Sequence, residues 1–272
     1  MTNDVVPVID LGPFRAGGTG RRTVAQAVAR ACEASGFFCI VGHGVDPALV
    51  DEMRAVSRAF FALPLEQKLR ACPPSFDIFR GYFPMQSAAL AQSMEMTSPP
   101  DVSEAFCINR FDDPGAAARA GLAPGLEKFF HPNIWPEQPP TFRAVWTAYY
   151  AAMEQLSHTL AEVFALALGL PDDWFADKID EHVSNLLCNY YPALDHDVLP
   201  GQFGRGQHTD YGSFTILHQE DRPKGLQVRD PRSGEWRDVP CVPDSFVINL
   251  GDLMAFWTAD RWVSTLHRAV GQ

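Results

Sequence analysis

The hydrophobic pattern of this chain changes period once, near Val183, and that change limits the folds open to it. Before that point the long apolar segments recur at helical spacing. Val24, Ala27, Val28 and Ala31 form one face of a helix predicted over Arg22 to Ala34. Asp46-Pro47 reads as an N-cap followed by proline at the first helical position, with Leu49, Met53, Val56 and Phe60 as the stripe behind it and Pro64 after its end. The longest helix is predicted over Thr141 to Leu168, on Val145, Tyr149, Ala152, Leu156, Leu160, Val163 and Ala167, stopped by Gly169 and Pro171. Two strands interrupt this half, Val5 to Asp10 and Gly36 to Val41. From Val183 onward the apolar runs are short, rich in Val, Ile, Leu, Phe and Trp, and broken by Gly, Pro and Asp, as antiparallel strands are. Helices first and a strand-rich half second predict an α+β protein with a double-stranded β-helix, or jelly-roll, core on which the long helix packs.

Composition narrows the partners. A length of 272 residues with 46% hydrophobic content supports one large domain or a domain with a helical extension. A formal net charge of -11 opposes binding to a phosphate backbone, so no nucleic-acid partner is expected. Six cysteines without a Cys-x-x-Cys pair, several inside apolar runs, read as reduced residues of a cytoplasmic protein. No signal peptide, and no apolar stretch near the roughly 20 residues that span a bilayer, is apparent. Residues 71–103, rich in Pro, Ser, Met and Phe, read as a long lid-like segment. It closes an N-terminal region, 1–103, that precedes a core over 104–272 holding the helix at 141–168 and the strands at 183–272.

The chemistry-bearing residues lie in the strand-rich half. On a strand, residues two apart share a face, so His208 and Asp210 can converge on one ion. A third ligand must come from another strand, and His267 stands in the late apolar run Ser264 to Val270. Two histidines and a carboxylate on one side of an ion leave the other side open, which suits non-haem Fe(II) and its need for positions where a cosubstrate and O2 can bind. Zinc takes similar ligands, so a hydrolase stays open; its general base would be Glu220, the nearest Glu in sequence. His218-Gln219-Glu220 repeats the spacing, but only His208 follows a glycine-rich approach, Gly201-Gln202-Phe203-Gly204-Arg205-Gly206.

Gln207 to Leu217 resembles the metal-binding segment of the 2-oxoglutarate and Fe(II)-dependent oxygenases, in the branch that includes isopenicillin N synthase and the plant flavonoid and gibberellin dioxygenases. The similarity runs on through Gly225 to Val228, Trp236 to Pro240, Phe246 to Asp252 and Trp262 to Arg268, with Asn189-Tyr190-Tyr191-Pro192 upstream. In the N-terminal half it takes in Val6 to Leu11, Gly36 to Val45, Phe60 to Pro64, Arg80-Gly81-Tyr82 and Glu104-Ala105-Phe106, so nearly the whole chain is covered in the family's order.

The resemblance implies Fe(II), 2-oxoglutarate and O2, and oxidation of a C–H bond of a small metabolite (hydroxylation, desaturation or ring closure) with release of succinate and CO2. It implies that Asn189, Tyr191 and Leu217 lie against 2-oxoglutarate. Arg80 and Tyr82 are candidate substrate contacts, with Arg205 and Tyr211 beside the metal strand as further ones. The family also carries an Arg-x-Ser pair shortly after its distal histidine. The sequence stops at Gln272, five residues after His267, so it is expected to be shortened relative to its natural form. Without that pair, an oxidase of the isopenicillin N synthase kind, which uses no 2-oxoglutarate, stays as an alternative.

Overall fold

The computed structural model describes residues 5–85, 87, 99, 101–113, 115, 119, 126–193, 203–220 and 225–270. Much of the expected lid segment and residues 194–202 lie outside that set.

Two four-stranded sheets make the core. The first is ordered β1 (Val8–Asp10), β2 (Phe37–Val41), β10 (Phe246–Leu250), β7 (Phe214–Leu217). The second is ordered β6 (Arg205–His208), β11 (His267–Ala269), β8 (Leu226–Arg229), β9 (Trp236–Asp238). Apart from the parallel β1–β2 pair, the pairings in both are antiparallel.

Strand alternation explains how the first sheet serves two layers. Phe38 and Ile40 of β2, with Phe246, Ile248 and Leu250 of β10, join the core shared with the helices. Phe37, Cys39 and Val247 point the other way and pack with Val228 of the second sheet. The apolar run at 37–41 is continuous because both faces of that strand are covered.

Helices α1 (Gly12–Ala16), α2 (Thr19–Ala34), α3 (Pro47–Phe61) and α4 (Leu65–Leu69) precede β3 (Gly81–Phe83) and β4 (Glu104–Asn109). The longest, α5 (Phe142–Ala167), buries Phe142, Trp146, Leu156, Leu160 and Phe164 against the first sheet and against α2 and α3. Asp46 caps α3 as its sequence predicts, accepting the Ala48 N–H at 2.9 Å. Gly36, at φ 65°, turns α2 into β2 where a Cβ would lie 2.0 Å from the Val263 carbonyl oxygen, so a side chain there would break the turn.

A short helix α6 (Ala176–Ile179) leads into β5 (Asn185–Tyr190), which pairs with β4 to complete a third sheet, β3-β4-β5. Here Tyr82, Phe106 and Ile108 face the helices, while Phe83, Ala105, Cys107 and Leu187 face the opposite side. Asn189 sits opposite Ala105, on that second side. The last helix, α7 (Asp252–Trp257), follows β10 directly. The six cysteines are thiols. Among the described residues no helix is long and apolar enough to cross a membrane.

Candidate metal centre and cosubstrate pocket

The pairing of β6 with β11 sets His208 directly opposite His267. Their rings lie 4.3 Å apart between centroids, and the edge of Phe37 from the facing sheet packs on His267 at 5.4 Å. Each ring is held by its Nδ1: His208 lies 2.8 Å from the Gly206 carbonyl oxygen and His267 3.1 Å from that of Thr265. A carbonyl only accepts, so each Nδ1 donates its proton and each Nε2 presents a lone pair. Burial, and then His267 beside it, push the His208 imidazole down to about 4, which keeps it neutral and able to bind a cation at physiological pH.

Asp210 stands on the turn after β6. Its Oδ2 accepts from the Thr215 hydroxyl at 2.6 Å and from Asn249 Nδ2 at 2.8 Å. Its Oδ1 is thereby aimed at the two imidazoles, 3.6 Å from His208 Nε2 and 3.7 Å from His267 Nε2. Burial pushes the carboxyl up, but His267, Thr215 and Asn249 outweigh it, and the group ends below its ordinary value.

The turn itself is held from α7. Asp252 N donates to the Asp210 carbonyl at 2.7 Å, and Thr209 Oγ1 donates to the Asp252 carboxylate at 3.1 Å. Gly251 permits this closeness, since a Cβ there would sit 2.2 Å from the Gly212 oxygen and 2.7 Å from the Asp210 oxygen.

These residues fit a divalent metal. One ligand atom from each lies within 4.8 Å of the others. Bonds of about 2.1 Å at right angles would set such atoms roughly 3 Å apart, so a small contraction closes the site on an ion. Two neutral nitrogens and one carboxylate oxygen on the same side are a donor set for Fe(II) with positions left open.

Residues 182–272 match the family model described as 2OG-Fe(II) oxygenase superfamily. Residues 6–138 match the model of the N-terminal region of the non-haem dioxygenase in morphine synthesis. The chain belongs to the 2OG-Fe(II) oxygenase superfamily. It is 34% identical to the Monascus ruber 2-oxoglutarate-dependent dioxygenase citB, over 98% of this chain and 80% of the relative. It is 35% identical to the Aspergillus niger 2-oxoglutarate-dependent dioxygenase caaD, over 100% and 81%. The crystal structure of a full-length Neurospora crassa protein in complex with alpha-KG superposes with a TM-score of 0.85 at 29% identity, covering 100% of this chain and 81% of that one. The chain is thus an Fe(II)- and 2-oxoglutarate-dependent dioxygenase acting on small molecules, built on the double-stranded β-helix. The oxidase and zinc hydrolase alternatives find no support among these relatives.

For an oxygenase of this superfamily the surroundings of the centre matter as much as the ligands. Leu217 lies two residues beyond Thr215 on β7, on the face packed between the two core sheets. Asn189 has a buried Oδ1 without a hydrogen-bond partner among the described residues. The Tyr191 ring covers Gly204, where a Cβ would come within 2.9 Å of two ring carbons. Tyr191 is 42% exposed, yet protein crowds its hydroxyl enough to push the phenol up to about 12. These unsatisfied polar groups are what a polar cosubstrate would need.

The substrate candidates divide. Arg80 is 1% exposed; its guanidinium donates to the carbonyls of Phe79 and Phe129 and to Asn185 Oδ1. Those acceptors hold it at the end of β5 away from Asn189, where it ties loops together. Tyr82 is fully buried on the helix-facing side of β3, and its hydroxyl donates to Glu104, which also takes Lys68 Nζ. The Arg-Gly-Tyr segment runs into a buried strand, and both side chains are turned to protein partners. From the described part of the lid segment, Phe76 and Phe79 stay exposed and pack on Phe83. Tyr211 is 77% exposed on the turn after Asp210. Arg205 pairs across the sheet with Ala269.

Glu220, the base that a hydrolase would require, is gripped by Arg58 Nε and Nη2 at 3.0 and 2.7 Å. Sequence reasoning missed Thr215, Asn249, Asp252, Gly251 and Phe37. Asn249 alone carried a signal, as a polar residue inside the apolar run Phe246 to Leu250.

Proposed function

We propose that His208, Asp210 and His267 hold the catalytic Fe(II), and that Asn189, Tyr191 and Leu217 line the seat of 2-oxoglutarate. The observation that carries this reading is the division of labour within each ligand: one atom bound to protein, the other aimed at a common point. When bound, Fe(II) with 2-oxoglutarate and O2 supplies a two-electron oxidation of a C–H bond, coupled to conversion of 2-oxoglutarate to succinate and CO2.

The residues of this chain do the rest. The carbonyls of Gly206 and Thr265 fix the tautomers, Thr215 and Asn249 fix the carboxylate, and Leu217 and Phe37 keep water from the inner side. The Tyr191 hydroxyl donates to a cosubstrate carboxylate.

The substrate is a small, non-polymeric metabolite. Crystal structures of the Neurospora crassa protein hold thymine or 5-formyluracil together with alpha-KG, which is consistent with a substrate of that size. We further infer a cytoplasmic enzyme from the six thiols. The test is succinate formation from 2-oxoglutarate with Fe(II), ascorbate and O2. The wild type should release succinate and His267→Ala should not; equal release by both would refute the ligand assignment.

A further inference from the structure

The two ligand histidines are anchored alike but not equally supported. His267 takes its anchor, the Thr265 carbonyl, from a run that other elements fix. There the Arg229 N–H of β8 donates to the Leu266 carbonyl at 2.8 Å, and the Val263 N–H donates to the Cys32 carbonyl of α2 at 3.1 Å. His208 takes its anchor, the Gly206 carbonyl, from β6, which pairs with β11 alone and forms the edge of its sheet among the described residues.

β6 is also irregular where that anchor lies. Between the pairs His267–His208 and Ala269–Arg205, β11 advances two residues while β6 advances three. Gly206 and Gln207 together oppose Arg268, a β-bulge that takes Gly206 out of the regular ladder. Gly206 is buried, so its N–H needs an acceptor from elsewhere.

That acceptor comes from the end of the 71–103 segment. Asp101 Oδ1 accepts the Gly206 N–H at 3.0 Å, and the next residue, Val102, donates its N–H to the Phe203 carbonyl at 3.1 Å. Residues 101–102 thus run beside residues 203–206 and hold them at two points. Asp101 is 2% exposed, and burying a carboxylate costs free energy that its hydrogen bonds must offset. Its charge makes the bond to Gly206 stronger than a neutral acceptor would. Gly206 is then held by one backbone group and holds with the other: its N–H goes to Asp101, and its carbonyl receives the His208 Nδ1 proton at 2.8 Å.

We propose that Asp101 is a positioning residue for the metal centre. By fixing the bulged Gly206 it sets the ring of His208, and it couples the end of the 71–103 segment to metal binding. The proposal rests on His208 being a ligand, as given under Proposed function. Asp101 acts through Gly206 and not on the ion itself.

The test uses protein labelled with 15N in its histidine rings, first without metal. An Nδ1–H held by a carbonyl exchanges slowly enough to give a resolved resonance, and His208→Gln and His267→Gln assign the two of interest. In Asp101→Ala the His208 resonance should move or vanish while that of His267 stays. Mn(II) affinity, from titration followed by electron paramagnetic resonance, should fall about 10–100-fold, the usual effect of removing a partner that orients a metal ligand. Asp101→Asn keeps an acceptor without the charge and should show smaller changes of the same kind. Glu104→Gln is the control. Glu104 is a buried carboxylate three residues on, bound to Lys68 and Tyr82. Its substitution should lower the thermal midpoint and leave both resonances and the Mn(II) affinity in place.

An unchanged His208 resonance and Mn(II) affinity in Asp101→Ala would overturn the proposal. So would equal changes at both histidines, or a loss of affinity matched by Glu104→Gln, since either marks a general loosening. If Asp101→Ala does not fold, Asp101→Asn decides: movement of the His208 resonance alone supports the link, and two unmoved resonances refute it. A wild type that binds no Mn(II) would refute the reading of the centre itself, a failure distinct from unmoved resonances.

Discussion

His208-Thr209-Asp210 and His218-Gln219-Glu220 have the same spacing and lie ten residues apart, yet the fold treats them differently. Asp210 gives one oxygen to Thr215 and Asn249 and turns the other to two imidazoles. Glu220 gives its Oε1 to Arg58 of α3, and His218 packs edge-on against Phe246 at 5.7 Å. His208 finds a second histidine opposite it on the paired strand. In the second pair Glu220 forms a surface salt bridge with Arg58, with side chains 39% and 55% exposed. A motif becomes a metal centre when neighbouring residues fix the unused atom of each ligand, so that the remaining atoms converge without further ordering.

That contrast can be broken by substitution. The largest effect is expected for Asp210→Ala and His267→Ala. Iron content, measured after anaerobic loading and desalting, should fall from equimolar to near zero, with succinate formation lost. Next come Thr215→Val and Asn249→Ala, which leave all three ligands but release the carboxylate. Their Fe(II) affinity, measured by competition with a chelator, should drop roughly 10–100-fold. Gly251→Ala presses a methyl group on the Asp210–Gly212 turn. It should cost about 1–3 kcal/mol of stability in denaturant unfolding and weaken metal binding less than Asn249→Ala does.

The smallest effects belong to the second pair. His218→Ala and Glu220→Gln should retain full iron and succinate release. Arg58→Ala should cost less than about 1 kcal/mol, because an exposed ion pair contributes little. Loss of iron in Glu220→Gln would erase the distinction between the pairs.

The two regions were unequally legible in the sequence. The period change near Val183, the Asp46 cap and the stripe of α5 each follow from local rules, and the structure keeps them with ends displaced by a few residues. The His208–Asp210 geometry also follows from strand alternation, and the family resemblance extends it to His267. Thr215 and Asn249 were invisible because their role depends on the pairing of β7 with β10, set by contacts far apart in sequence. The burial of Arg80 and Tyr82 was hidden in the sequence for a related reason. Nothing local distinguishes a mobile aromatic loop from one whose tip is a buried strand, and only the pairing of β3 with β4 turns Tyr82 toward the helices.

One of two equally spaced pairs holds the metal because its second oxygen and its ring nitrogens are already bound to protein. Anomalous scattering from a crystal of the Mn(II)-loaded protein tests it most directly. The account expects one strong peak within bonding distance of His208 Nε2, His267 Nε2 and Asp210 Oδ1, with Thr215 and Asn249 still on Oδ2. A peak between His218 and Glu220, or one bound through Nδ1 of either ligand histidine, would contradict it.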